Sequence, residues 1–258
     1  MTKKLQNITS KVSPVITLIL ITGLWAVICG FELVPAYMLP SPVAVIDAFI
    51  TDFPMLMHHS ATTLAEAGAG LGIGIISAFI TASLMDRFRP IYNAIYPLLI
   101  ITQTIPTVAI APILIMWMGF DMAPKIALIV ITTFFPITVG LLDGFASVDP
   151  DAVSLLRSMG AGNFRIFFSV KNPSALSYFF AGLKISASYA VVGGVIAEWL
   201  GGFEGLGVYM TRVRKAYQFD KMFAGILLII IISLLLMLAV SLKRKAVMPW
   251  ERKGVLKN

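Results

Sequence analysis

Four ionisable side chains, Glu66, Asp143, Lys184 and Glu198, stand within or at the ends of long apolar tracts. Charge at hydrocarbon depth is costly, and such groups mark solute pathways, relays or gates. Asp143 and Lys184 lie at tract ends that reach water, and Glu66 and Glu198 lie near the opposite ends. Glu198-Trp199 is followed by Gly201, Gly202, Gly205 and Gly207, a flexible turn placed to rim a gate; the alternative is plain interfacial anchoring by Trp199. Gln103 and Thr104 offer neutral hydrogen-bonding groups beside Pro106, which frees a backbone carbonyl. These three residues, with Glu198 and Trp199, are the candidate solute pathway. The alternative for the proline segment is an ordinary kinked helix whose polar groups bond their own turn.

Other chemistries find no support. His58 and His59 are adjacent rather than at metal-ligand spacing and have no Cys or carboxylate beside them, so they read as solvated or interfacial and no metal ligand is assigned. Gly68, Gly70, Gly72 and Gly74 do not match the dinucleotide fingerprint, and no Walker loop occurs, so no nucleotide site is assigned to this chain. They read as small residues that admit a neighbouring helix. No nucleophile and base pair stands out, and no catalytic residue is named. One cysteine excludes an internal disulfide, and Cys29 reads as a small lipid- or helix-facing side chain.

Of the 258 residues, 58% are apolar and 13% charged, against about 25% charged in soluble domains, and the mean hydropathy is +0.90. This is an all-α integral membrane protein. A hydrocarbon core about 30 Å thick needs about 20 apolar residues per helix. Uncharged tracts at 12–31, 67–85, 91–120, 126–142 and 222–242, with 175–197 interrupted by Lys184, give six spans. Net charge +7 suggests nucleic acid only in a soluble protein. Here most Lys and Arg fall on one side: Lys3, Lys4 and Lys11, Arg87 and Arg89, Arg157, Arg165 and Lys171, and the run from Lys243. That places both termini in the cytoplasm, although Arg212, Arg214, Lys215 and Lys221 lie opposite. Residues 1–11 are then a cytoplasmic segment, 12–242 the transmembrane domain and 243–258 a cytoplasmic tail. No small-residue cleavage site follows the first span, which reads as uncleaved.

The elements that position these residues are punctuated by proline and glycine. Ser13-Pro14 reads as a helix start and Leu39-Pro40-Ser41-Pro42 as a rigid loop leading into a second helix. That helix has Val43, Ile46, Ile50 and Phe53 on one face, suited to the membrane surface or the bundle. The third tract is too long for a straight crossing and carries Pro97, Pro106 and Pro112. Between the fourth and fifth spans, residues 149–173 form a polar hairpin. Asp149 caps, Pro150 opens and Asp151 complements the dipole of its first helix; Gly160 ends it, and Asn163 caps the second. Phe164, Phe167, Phe168 and Lys171 share one face, which needs cover from the chain's own helix ends or from a second subunit.

With these motifs in place, the chain resembles the membrane-spanning subunit of type I ATP-binding-cassette importers, in the branch of nitrate, sulfonate, taurine and pyrimidine-precursor permeases. The family's cytoplasmic signature is Glu-Ala-Ala, three residues, Gly, nine residues, then Ile-x-Leu-Pro. Gly160, Val170 and Pro173 keep its spacing, while Ser154-Leu155-Leu156 stands in place of Glu-Ala-Ala and Asn172 in place of Leu. The likeness extends to Leu39-Pro40-Ser41-Pro42, to Gln103-Thr104-Ile105-Pro106 and to the Glu198-Trp199-Leu200-Gly201 and Gly205-Leu206-Gly207 stretches. It implies a type I transmembrane fold and a homodimeric pore with a second permease copy in the bacterial cell membrane. An extracytoplasmic binding protein would deliver a small-molecule substrate. Separate ATPase subunits, carrying ATP and Mg, would dock at Asp151, Ser154, Leu155, Leu156, Gly160, Phe164, Val170 and Pro173, leaving this chain no cofactor and no enzymatic step.

The Glu-Trp-Leu-Gly and Gly-Leu-Gly wording is most similar to permeases for thiamine-pyrimidine precursors such as hydroxymethylpyrimidine. Aliphatic sulfonate, taurine, nitrate and riboflavin are the alternatives within the same machinery. Relatives often carry Arg in span two where this chain has Glu66, which speaks against a strongly anionic solute. An ion-gradient carrier would show internal repeats and midplane ionisable groups, and a membrane enzyme would cluster His, Cys or carboxylates near one interface; neither pattern stands out.

Overall fold

The computed structural model describes residues 2–250, with side chains from Ser13 onward. The charges expected at Lys3, Lys4, Lys11, Arg252, Lys253 and Lys257 lie outside the described side chains. All regular elements among the described residues are helical. They run α1 (Thr2–Gly30), α2 (Pro42–Thr51), α3 (Phe53–Arg87), α4 (Arg89–Thr104), α5 (Thr107–Met118) and α6 (Met122–Ala146). There follow α7 (Pro150–Ser158), α8 (Asn163–Ile166), a π-helical turn at Phe167–Lys171, α9 (Asn172–Leu200), α10 (Leu206–Lys215) and α11 (Phe219–Val247).

Among the described residues, five helical stretches are long and apolar enough to cross a membrane: α1 from Ser13, α3, α6, α8 through α9, and α11. A sixth is broken, because α4 and α5 meet at 102°. Pro106 makes the break. It has no N–H for the Thr102 carbonyl, and it drives Ile105 before it into extended backbone at φ −87° and ψ 121°. Pro97 and Pro112 stay inside their helices. Pro14 corrects the expected start of α1: the helix already runs from Thr2 and holds Pro14 internally, losing a single backbone bond.

Two compact units divide the chain. One runs to His58 and takes back Tyr209–Leu228. In it the Trp25 indole N–H donates to the Pro40 carbonyl at 3.0 Å and the Cys29 thiol points at the Leu39 carbonyl at 3.6 Å, so the proline loop is tied to α1. Ser41 caps α2 by accepting the Ala44 N–H, while Val43, Ile46 and Ile50 stay exposed. The Asp52 carboxylate accepts from the Tyr209 hydroxyl at 2.9 Å and pairs with Lys221 at 2.9 Å, which gives one of the opposite-side cations a local partner. Burial first, and the Asp52 bond second, raise the Tyr209 pKa, so this hydroxyl remains a donor.

The second unit holds His59–Val208 and the chain from Ile229 on. Its core joins Ala78, Ala82 and Met85 of α3, Leu99 of α4, Ile137, Leu141 and Phe145 of α6, and Phe180 and Leu183 of α9. Helix association in lipid rests on close van der Waals fit. Gly182 of α9 lies against the Pro136 carbonyl of α6, where any Cβ would collide. Of the α3 glycines, Gly70 and Gly74 meet Ile129 and Thr133 of α6, while Gly68 and Gly72 face open space.

Candidate functional site

The break between α4 and α5 opens a cavity of about 200 Å³ against α6 and α9. Thr102, Gln103 and Thr107 come from the break, Thr132 from α6 and Tyr189 from α9, with Ile105, Ile110, Ile131, Val192 and Ile196 as the apolar wall. No lining side chain is charged. Two prolines enrich it with backbone acceptors: Pro106 withholds the helical N–H from the Thr102 carbonyl, and Pro136 does the same to Thr132. Irregular backbone at membrane depth is tolerated where it lines a cavity. The Thr102 and Thr132 hydroxyls donate to the carbonyls of Leu99 (2.7 Å) and Ile129 (3.0 Å), keeping only their lone pairs for a ligand. The chemistry on offer is neutral hydrogen bonding to a small, partly apolar solute.

The residues expected along the pathway separate. Gln103 lines the cavity. Pro106 creates the break, and the Thr104 hydroxyl turns back to the Ile101 carbonyl at 2.8 Å. Trp199 is half exposed and Glu198 2% exposed, and neither lines the cavity.

Glu198 belongs to a buried polar cluster that holds the 201–207 turn. Its Oε1 accepts from the Thr63 hydroxyl at 2.8 Å and its Oε2 from the Gly207 N–H at 2.6 Å. Thr63 Oγ1 accepts the Leu206 N–H at 2.9 Å, and His59 Nδ1 accepts the Gly205 N–H at 3.1 Å. The first N–H groups of a helix lack intrahelical acceptors; α10 takes its acceptors from α3 and α9. Gly205, at φ +118°, and Gly207 press against the Glu198 carboxyl, leaving no room for a Cβ. The turn is therefore pinned where the glycines suggested flexibility. His59 is likewise buried rather than solvated, because it completes this cap; His58 alone is exposed.

Beside the turn, Lys125 of α6 pairs with Glu66 of α3 at 2.6 Å, both fully enclosed. Glu66 thus answers a lysine within the fold and has no part in the cavity. Lys125 and Thr63 escaped the sequence reading, and His59 was read there as solvated or interfacial. Lys125 stands between Pro124 and an apolar tract, where a tract end and a buried ion pair look alike.

At the other end of α6, the 149–173 hairpin has the predicted punctuation. Asp149 Oδ1 accepts the Asp151 N–H at 2.9 Å. Gly160, at φ +81°, closes α7: its N–H bonds the Arg157 carbonyl and the Ala161 N–H reaches Leu156, the paired bonds of a Schellman cap. Asn163 corrects one expectation, since it is the first residue of α8 behind Gly162 and makes no side-chain cap. Asp151, Ser154, Leu155, Gly160, Phe164 and Pro173 are exposed, and Leu156 and Val170 half-buried. Leu155, Met159 and Phe164 are 63%, 74% and 78% exposed, a patch of bare apolar side chains on a polar hairpin. Phe168 packs at a tilt against Phe164, and Phe167 packs inward on Phe145. The helix passes to α9 through the π turn, with the Asn172 N–H on the Phe167 carbonyl; Pro173 supplies no N–H there.

Comparison with known proteins bears on both regions. Residues 70–252 match the family described as binding-protein-dependent transport system inner membrane component. A Haemophilus influenzae protein named "probable ABC transporter permease protein" is 35% identical over 84% of this chain and 89% of its own. The formylaminopyrimidine transport permease protein ThiX of Halalkalibacterium halodurans is 34% identical over 84% of this chain and 87% of its own. Among solved structures, an inward-facing MetNI methionine ABC transporter chain superposes with a TM-score of 0.66 at 20% identity, covering 75% of this chain and 98% of that one. It supports the fold, that of type I importer permeases.

Proposed function

From the premise that this chain belongs to the inner membrane components of binding-protein-dependent transport systems, and so is a permease subunit of an ABC importer, we propose that its solute is a neutral pyrimidine of the thiamine-precursor type. The carrying observation is the charge-free cavity at the α4–α5 break, with the Gln103 amide, the Tyr189 hydroxyl and two proline-freed carbonyls in an apolar wall. An aminopyrimidine has ring acceptors and amine donors to match. A sulfonate or nitrate would enter a site without a cation to meet it. The relative named for formylaminopyrimidine transport supports the same class.

In this reading two copies form the pore, an extracytoplasmic binding protein delivers the solute, and both termini and the 149–173 hairpin lie in the cytoplasm. ATP and Mg reside on partner ATPases that seat on the hairpin at Asp151, Ser154, Leu155, Leu156, Gly160, Phe164, Val170 and Pro173. ATP binding acts by favouring one of two conformations, through contacts that differ between them.

The test is ATP-dependent uptake of radiolabelled hydroxymethylpyrimidine into proteoliposomes holding the permease, its ATPase and its binding protein. Accumulation that unlabelled taurine leaves unchanged supports the assignment. Accumulation of taurine in place of the pyrimidine removes the substrate, and uptake without any ATPase removes the machinery.

A further inference from the structure

Where α3 ends, a cleft of about 660 Å³ opens between that helix and the α7–α8 hairpin. Its apolar lining comes from Phe79 and Leu84, on the last turns of a membrane-crossing helix, with Leu84 exposed, and from Phe164, Phe167 and Phe168 of the hairpin. Its basic lining is Arg87, Arg157 and Lys171. Of its three cations only Lys171 has a carboxylate, Asp86 at 2.7 and 2.8 Å. Arg87 rests over the Phe88 ring at 5.7 Å, and neither it nor Arg157 is paired with an acid among the described residues. An independent feature points the same way. Ser83 lines this cleft, and its buried hydroxyl has no hydrogen-bond partner, although a helical serine ordinarily bonds a carbonyl on the preceding turn.

Two guanidiniums without a carboxylate, an idle hydroxyl and an apolar wall at the edge of a crossing helix match an anion that carries an acyl chain. We infer that the cleft seats an anionic phospholipid, with Arg87 and Arg157 on the phosphate, Ser83 the free donor beneath them and the acyl chain along Phe79 and Leu84. A soluble anion would need only the guanidiniums. The apolar wall commits the site to lipid. Because Arg87 is on α3 and Arg157 on α7, one headgroup bridges the span to the hairpin and steadies the hairpin's seat. The proposed orientation enters only in placing that lipid in the cytoplasmic leaflet, and the test reads lipid rather than solute.

The experiment measures the thermal unfolding of the full-length permease in detergent with added phosphatidylglycerol, phosphatidylcholine or inorganic phosphate. Phosphatidylglycerol is expected to stabilise the wild type, and the other two are not. Roughly fivefold affinity per cation makes Arg87→Gln with Arg157→Gln about thirtyfold weaker for phosphatidylglycerol. Each single variant should fall partway, and Arg89→Gln, a basic neighbour outside the cleft lining, should bind as the wild type does. Equal stabilisation by inorganic phosphate would overturn the assignment to lipid. So would a loss as large in Arg89→Gln, or a double variant that keeps its lipid but no longer co-purifies with the ATPase.

Discussion

Glu198 Oε2 accepts the Gly207 N–H at 2.6 Å, so the last turn of α9 caps the helix that follows it. With the Thr63 hydroxyl on Oε1, one buried carboxylate joins α3, α9 and the head of α10. A hydrogen bond contributes about 0.5–1.5 kcal/mol net, and stranding a buried donor costs about 1–3 kcal/mol. Glu198→Ala should lower stability in detergent by ~3 kcal/mol, with Glu198→Gln intermediate because an amide still accepts one bond. An unchanged melting temperature in Glu198→Ala would show that the cap contributes nothing.

The Lys125 and Glu66 pair, 4% and 0% exposed at 2.6 Å, gives a second test. Breaking a buried ion pair from one side costs about 3–5 kcal/mol, whereas exchanging both partners for neutral groups of similar size is often close to neutral. Lys125→Met alone should therefore destabilise more than Lys125→Met combined with Glu66→Gln. A double-mutant cycle measures the difference, and strictly additive effects would count against the pairing.

These two clusters mark the limit of what the amino-acid order reveals. Proline and glycine punctuation acts locally, so Pro106 announced the broken span, Ser41 the start of α2 and Gly160 the end of α7. Gln103 was legible because it sits two residues from that break. Pairings across helices leave no local mark. Glu66 is 59 residues from Lys125, and Thr63 is 135 from Glu198. The same glycines that read as a loose rim are there because a carboxylate fills the space a Cβ would take. His59 looked solvated since a histidine next to His58 shows nothing of the bare N–H groups it meets across the fold.

Gly160 holds φ at +81°, the left-handed region that costs other residues roughly 1–2 kcal/mol. No neighbour crowds a Cβ there, so the strain is confined to the backbone of the hairpin. Gly160→Val should leave the crossing helices folded while spoiling the end of α7. Expected is a complex that still assembles, hydrolyses ATP and imports several-fold less per ATP. Full uptake in that variant would remove the hairpin from the coupling route.

Gln103 tests the solute site. Its loss deprives a neutral ligand of one hydrogen bond, about 1 kcal/mol, or close to fivefold in affinity. Gln103→Ala should raise the KM for pyrimidine uptake by that factor with little change in basal ATP hydrolysis. If KM is untouched in Gln103→Ala and in Tyr189→Phe, the cavity at the α4–α5 break is not where the solute rests.

Phe164 separates folding from assembly. At 78% exposed it contributes little to the fold, and its ring contact is to Phe168, itself half exposed. Bare aromatics become anchors when a partner desolvates them, and losing one costs roughly 2 kcal/mol, near thirtyfold in affinity. Phe164→Ala should melt like the wild type yet hold its ATPase about thirtyfold more weakly in a pull-down titration. Leu155→Ala, on the same hairpin, should weaken the complex less. A variant that melts early with its ATPase affinity intact would mean that Phe164 serves the permease's own fold, leaving Leu155 and Met159 to carry the contact.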